Sequence, residues 1–218
     1  MQAKQNKRFL QKLRVEYNEM GLDEKQAHPD AMRQFERWFK DALKSGEPEP
    51  NALVLSTASK KGVPSGRVVL LKDLKERRFV FFTNYESKKG QELKENPKAA
   101  MTFFWPSLQR QVRITGTVKR CTKAESDAYF SVRPRGAQLG ASVSPQSQVI
   151  TSREELLELL TEAQKRLKGR NINRPKHWGG YYLLAEKIEF WQGRGNRLHD
   201  RLVYAYKGRS WSIKRVAP

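Results

Sequence analysis

An α+β chain built on one antiparallel barrel with helices packed outside it is the fold class the sequence predicts. Three observations predict it. Short runs rich in Val, Leu and Phe lie in both halves of the chain, helical spacing precedes and separates them, and 218 residues are enough for one sizeable core. Residues 1–50 read as a helical segment packed on the barrel, and 51–218 as the barrel domain, within a single domain overall.

The elements follow in order. Phe9, Leu10, Leu13, Tyr17 and Met20 recur at helical spacing, and Pro29-Asp30 opens a second helix carrying Met32, Phe35, Trp38, Phe39 and Leu43. Pro48 and Pro50 then break the chain. From Ala52 to Asn84 the runs ALVLSTAS, GRVVLLKDL and RFVFFTN, with turns at 60–64 and 75–77, predict an antiparallel meander. A short helix spans Ser87–Glu95, and the strands AAMTFFW and RQVRITGTVKRC follow. Thr122 with Glu125, and Ser152 with Glu155, form capping boxes that start two more helices, the second with a Leu156, Leu157, Leu160, Ala163, Leu167 face. Between them SVRPRGAQLGASVSPQSQVI reads as a binding loop. After Gly169 the strand signal returns in GGYYLLAEKIEFWQG, RLHDRLVYAY and SWSIKRV, with Gly193-Arg194-Gly195 as a hairpin turn.

Composition excludes several classes. No run of 18 apolar residues occurs, the N-terminus has no apolar leader core, and one cysteine, Cys121, allows no disulfide framework; a cytoplasmic address without membrane partners is expected. With 43 Lys+Arg against 23 Asp+Glu the net charge is +20. The excess lies in the body of the chain: residues 1–50 carry ten basic and nine acidic residues. A solvated basic surface and a set of specific anion sites both fit this spread, and a nucleic-acid arm does not. Three scattered histidines, His28, His177 and His199, predict no metal site. Cys121 reads as a small apolar residue at a strand end.

Several cation-bearing elements then stand out. If residues 197–203 are extended, Arg197, His199 and Arg201 share one face, opposite Leu198, Asp200 and Leu202. Two flanking guanidiniums would keep His199 neutral near pH 7. A solvated polar strand face is the plainer alternative. In GRVVLLKD an unbroken strand puts Arg67 and Lys72 on opposite sides, facing two different anions. Gln111, Arg113 and Thr115 share a face opposite Val112 and Ile114, and Tyr129 and Arg133 are helical neighbours. No nucleophile–base pair, carboxylate pair, phosphate-cradling glycine loop or zinc-binding helix motif is present. That pattern suits a phosphorylated ligand or a cofactor that brings its own chemistry.

RVVLLK at 67–72, FFTN at 81–84, SKKG at 87–90, RQVRITG at 110–116, YFSVRPR at 129–135, SPQS at 144–147, HWGGY at 177–181, EFWQG at 189–193, NRLHDR at 196–201 and the closing RVAP resemble the pyridoxine/pyridoxamine 5′-phosphate oxidase family. The match runs in order from about Phe35 to Pro218. The resemblance implies a split β-barrel, a homodimer and FMN at the subunit interface. Matched by position, Arg67 and Lys89 would contact the FMN phosphate. Val68, Val69, Leu70, Leu71, Lys72, Phe82, Thr83, Lys88, Gln111, Gln146, Ser147, Trp191 and Arg201 would complete the flavin site. Lys72, Tyr129 and Arg133 would hold the substrate phosphate, and Arg197 and His199 would lie over the pyridine ring as the catalytic pair. The implied reaction is hydride transfer from C4′ of pyridoxine or pyridoxamine 5′-phosphate to flavin N5, with O₂ reoxidising the flavin to give H₂O₂ and pyridoxal 5′-phosphate as product. Two departures from the family pattern stand at Ala137, where serine is usual, and Lys88, where arginine is common. A related flavin protein with another substrate, and a basic anion-binding module, are the competing expectations.

Overall fold

The computed structural model describes residues 12, 13, 16, 17 and 21–218. The first expected helix, Phe9 to Met20, lies almost entirely outside them. The chain forms two compact units. One takes Glu49–Phe103 and Arg113–Ile188; the other takes Met1–Pro48, Phe104–Val112 and Glu189–Pro218.

Among the described residues the elements run in the order α1 (Ala31–Lys44), β1 (Ala52–Ala58), β2 (Pro64–Leu70), β3 (Asp73–Lys75), β4 (Arg78–Asn84), α2 (Lys88–Glu95), β5 (Lys98–Trp105), β6 (Arg110–Arg120), α3 (Lys123–Ser131), α4 (Arg135–Val143), α5 (Arg153–Arg166), β7 (Trp178–Gln192), β8 (Asp200–Lys207) and β9 (Ser210–Arg215). The strands join in one sheet, ordered β2-β1-β5-β6-β7-β4-β3, with β8 paired to β7 and β9 to β8. β1 runs antiparallel to β2 and β5, β4 to β3 and β7, and β8 to β9. Among the described residues, no helix is long and apolar enough to cross a membrane.

In the first unit β1 and β5 alternate, burying Leu53, Leu55 and Thr57 on one strand and Met101 and Phe103 on the other. Phe79, Phe81, Ile114, Leu183 and Ala185 complete its fully buried centre. The expected meander is two separate hairpins. β1-β2 and β3-β4 lie at opposite ends of the strand order, because the chain leaves its ladder at Leu71 and Lys72 between β2 and β3. Hydrophobic patterning marks strands such as β1 and β6 but carries no information on which strand is the neighbour.

Three further expectations change. Helix α4 occupies 135–143, within the stretch read as a loop; Gly136 and Gly140 have open space around them and the helix buries only Leu139. Thr122 and Glu125 form the full capping box, but at Ser152 the Glu155 carboxylate accepts from Thr151 N–H and Oγ1 instead of the cap residue. On α5 only Ala163 of the expected apolar face is buried, and Leu157 is exposed.

In the second unit Asp30 caps α1 by accepting from Met32 and Arg33 N–H. The helix buries Met32, Phe35, Trp38 and Ala42. Trp38 meets Phe190 edge-on at 5.2 Å, and Phe190 meets Tyr204 at the same distance. The Tyr204 hydroxyl donates to His28 O, and burial pushes its pKa up to about 12.

Candidate functional site

A cleft of about 320 Å³ opens in the first unit, lined by Arg67, Val68, Val69, Leu70, Lys72, Phe82, Thr83, Lys89, Tyr129, Arg133, Gln146 and Trp178. Eleven of these twelve were expected from the sequence; Trp178 was not. Strand β2 carries Arg67 to one wall. Lys72 lies past the end of β2, and this corrects the expectation of opposite faces: the strand breaks at Leu71, so both cations line one cleft.

Helix α2 delivers Lys89. Ser87 caps the helix by accepting from Gly90 N–H, and that fixes the first turn beneath β4. Gly90 belongs there because any β-carbon would run into the backbone of Tyr85. The Lys89 ammonium is buried and donates to Thr83 Oγ1 at 3.2 Å, Ser87 Oγ at 3.3 Å and Gln146 Oε1 at 3.1 Å. No carboxylate ion-pairs with it among the described residues. Burial lowers its pKa, the Arg67 charge lowers it further, and Glu92 opposes both. A buried cation satisfied only by neutral oxygens is suited to an anion that completes its shell. Lys88, one residue earlier, is exposed, as are Gln146 and Ser147, the latter at φ 71°.

The opposite wall is aromatic. Phe82 stacks on Tyr129 with centroids 4.0 Å apart and on Trp178 at 5.5 Å. Arg133, just beyond the end of α3, lays its guanidinium over Trp178 at 4.5 Å. Its Nη1 is buried without a hydrogen-bond partner, and burial lowers its pKa. An orphaned guanidinium nitrogen in a cationic cleft is an open place for an oxyanion.

Leu71, also expected, is buried in the first unit and does not line the cleft; the remaining expected residues lie in the second unit. Gln111 is half-buried on β6, where the alternation of 111–115 holds. Arg201 grips Glu189 with Nε at 3.2 Å and Nη2 at 3.1 Å, and donates from Nη1 to Ala217 O. Residues 195–197 form a turn with Asn196 and Arg197 at positive φ, 54° and 62°, so β8 starts at Asp200. The alternating 197/199/201 face is therefore replaced by a bent segment, and the positive φ at two non-glycine residues is strained. His199 Nδ1 accepts Arg194 N–H at 3.1 Å. Its ring packs on Trp191 at 4.7 Å and on Tyr17 at 5.5 Å, and the Arg197 guanidinium lies 5.7 Å over Tyr17. Burial first, then Arg197, lowers the His199 pKa. The expected direction holds; Arg201, committed to Glu189, takes no part in it.

Glu92, Thr57 and Ser65 were not anticipated. Glu92 is buried on α2 and accepts from both hydroxyls and from Arg67. Its only trace in the sequence is an acid on the inner face of a short basic helix. Tyr17 was read as an apolar helix position, and Trp178 only as part of the HWGGY stretch at 177–181. Cys121 is buried as expected, its thiol pushed up to about 11 by burial. Among the described residues no group of metal-ligating side chains occurs.

Known proteins share this architecture and sequence. The family profile described as pyridoxamine 5′-phosphate oxidase matches residues 39–165, and that of the pyridoxine 5′-phosphate oxidase C-terminal dimerisation region matches 178–218. A pyridoxine/pyridoxamine 5′-phosphate oxidase of Rubrobacter xylanophilus is 54% identical over 212 residues, covering 97% of this chain and 98% of the relative. One from Trichormus variabilis is 50% identical over 212 residues, covering 97% and 99%. The crystal structure of PhzG from Burkholderia lata 383 in complex with tetrahydrophenazine-1-carboxylic acid superposes with TM-score 0.87 at 28% identity, over 94% of this chain and 100% of that one.

Proposed function

The chain belongs to the pyridoxamine 5′-phosphate oxidase family, and on that premise we propose that it is an FMN-dependent oxidase, acting as a homodimer, that converts pyridoxine 5′-phosphate and pyridoxamine 5′-phosphate to pyridoxal 5′-phosphate. The observation that carries the proposal is the pairing, in one cleft, of the Arg67–Lys89 cations with the Arg133 guanidinium, whose Nη1 has no hydrogen-bond partner. Two cationic sets suit two phosphorylated molecules.

When bound, FMN supplies a hydride acceptor for the substrate C4′ and passes the electrons to O₂, releasing H₂O₂. Arg67 and Lys89 would hold its phosphate. Residues 68–72, Phe82, Thr83, Lys88, Gln146 and Ser147 would surround it, and the family match adds Gln111, Trp191 and Arg201. Placement of the flavin at the subunit interface and a cytoplasmic address belong to the same proposal. Lys72, Tyr129 and Arg133 would hold the substrate phosphate, with the Phe82–Tyr129–Trp178 stack fixing the tyrosine and the guanidinium.

His199 and Arg197 would orient the pyridine ring. Because Nδ1 of His199 accepts a backbone N–H, the neutral ring carries its proton on Nε2 and presents one N–H donor. Arg197 remains a fixed cation. Together they position substrate and stabilise charge, and no strong base is placed among them.

The test is anaerobic mixing of the purified protein with pyridoxine 5′-phosphate while the flavin absorbance is followed. Bleaching that returns on admitting air supports the oxidase. A yellow protein that does not bleach points to a flavin protein with another substrate, and a colourless one that takes up no FMN sinks the proposal.

A further inference from the structure

We infer that Glu92 is a positioning residue for the cofactor phosphate: its buried carboxylate turns the hydroxyls of Thr57 and Ser65 so that both present lone pairs to Arg67, which locks the guanidinium at the cleft wall. The inference rests on the assignment of Arg67 to the FMN phosphate.

The network starts from strand register. β1 and β2 pair Leu55 with Arg67 and Thr57 with Ser65, so Thr57, Ser65 and Arg67 stand on one face of adjoining rungs. Helix α2 lays Glu92 against that face, where it is 6% exposed. One carboxylate oxygen, Oε2, accepts from Thr57 Oγ1 at 2.5 Å and from Ser65 Oγ at 2.6 Å. Burial alone would raise the Glu92 pKa; the hydrogen bonds from Ser65 and Thr57, with the Arg67 charge, outweigh it, and the group stays ionised.

An ionised carboxylate only accepts, and each hydroxyl has a single proton to give. With both protons committed to Glu92, both hydroxyl oxygens turn their lone pairs outward. Arg67 meets them there, Nη1 at 2.5 Å from Thr57 Oγ1 and Nη2 at 2.5 Å from Ser65 Oγ, with Nη1 also donating to Leu55 O. The direct Glu92–Arg67 approach is looser, at 3.4 Å. The carboxylate therefore acts on Arg67 mainly through the two hydroxyls. Without it either hydroxyl is free to turn its proton toward the guanidinium, donor against donor, and Arg67 loses its fixed orientation.

The experiment compares binding of FMN and of riboflavin, which lacks the phosphate, by quenching of flavin fluorescence on the apoprotein. Glu92→Ala is expected to weaken FMN binding by about tenfold or more, with riboflavin binding unchanged. Glu92→Gln keeps an amide oxygen for both hydroxyls and is expected to restore FMN binding to within about threefold of the wild type. If Glu92→Ala does not fold, Thr57→Val carries the test, with FMN weakened about threefold to tenfold and riboflavin unchanged. Equal weakening of both flavins, unchanged FMN binding in Glu92→Ala or Thr57→Val, or a glutamine variant as weak as the alanine would overturn the inference. A wild-type chain that quenches neither flavin overturns the cofactor assignment itself, a separate failure.

Discussion

Two regions hold functional cations in opposite ways. In the cleft, Lys89 is buried and Arg67 is held by four internal hydrogen bonds, so the charges are positioned before any ligand arrives. In the segment from Trp191 to Arg201, Arg197 is exposed on a strained turn and the imidazole is kept neutral. On the proposed function, the difference teaches that the cleft holds its cations preorganised for anions, at a desolvation cost borne by the fold, while the segment offers an uncharged donor beside an exposed cation.

The contrast breaks most visibly at Lys89. Lys89→Met removes a charge-assisted contact of about 1.5–3 kcal/mol, so FMN binding should weaken by roughly 10- to 150-fold. Riboflavin binding should be unchanged, and the melting temperature of the apoprotein should rise because a buried charge is gone. A variant that binds FMN normally would show that burial of Lys89 serves packing alone. Arg133→Leu comes next: FMN titration should be unaltered while KM for pyridoxine 5′-phosphate rises by about tenfold or more. An equal loss of FMN affinity would mean that the cleft holds one anion and not two.

How much of this was legible in the sequence divides along the same line. Lys89, Arg133 and Tyr129 stand in short contiguous motifs, and strand alternation set Val112 and Ile114 on the face opposite Gln111, Arg113 and Thr115, the face that is buried, without knowledge of their neighbours. Pairing that depends on distant residues was not legible. The separation of the β1-β2 and β3-β4 hairpins, the turn at 195–197 and the position of Glu92 against β1 and β2 are all set by tertiary contact, which local periodicity does not encode. Arg67 and Lys72 were placed on opposite sides because a strand break at Leu71 has no glycine or proline to announce it.

Two smaller effects sharpen the comparison. Ala137 sits in the first turn of α4, its N–H donating to Pro134 O. Restoring serine there should lower KM by roughly fivefold to thirtyfold, the worth of one hydrogen bond to a phosphate of about 1–2 kcal/mol; an unchanged KM would exclude position 137 from substrate binding. At His199 the folded pKa lies below the ordinary 6.5, so the unfolded chain takes up a proton first as pH falls. The stability it contributes is present above about pH 6.5 and is lost as pH drops through the lowered folded value. Between pH 7.5 and 5, His199→Gln should therefore lose less melting temperature than the wild type, by on the order of 1–2 °C. An identical loss would mean that the ring titrates as it does in the unfolded chain.

The placement of β4 against β7 has a consequence for how the protein is made. Phe82 pairs with Gly180 and Asn84 with Trp178, partners separated by roughly a hundred positions, so a long loop must close before the wall bearing Lys89 is joined to its aromatic counterpart. During synthesis Arg67 and Lys89 leave the ribosome well before Trp178 does. On the proposed function, a flavin would therefore meet a nearly completed chain and would not serve as a template around which the early strands assemble.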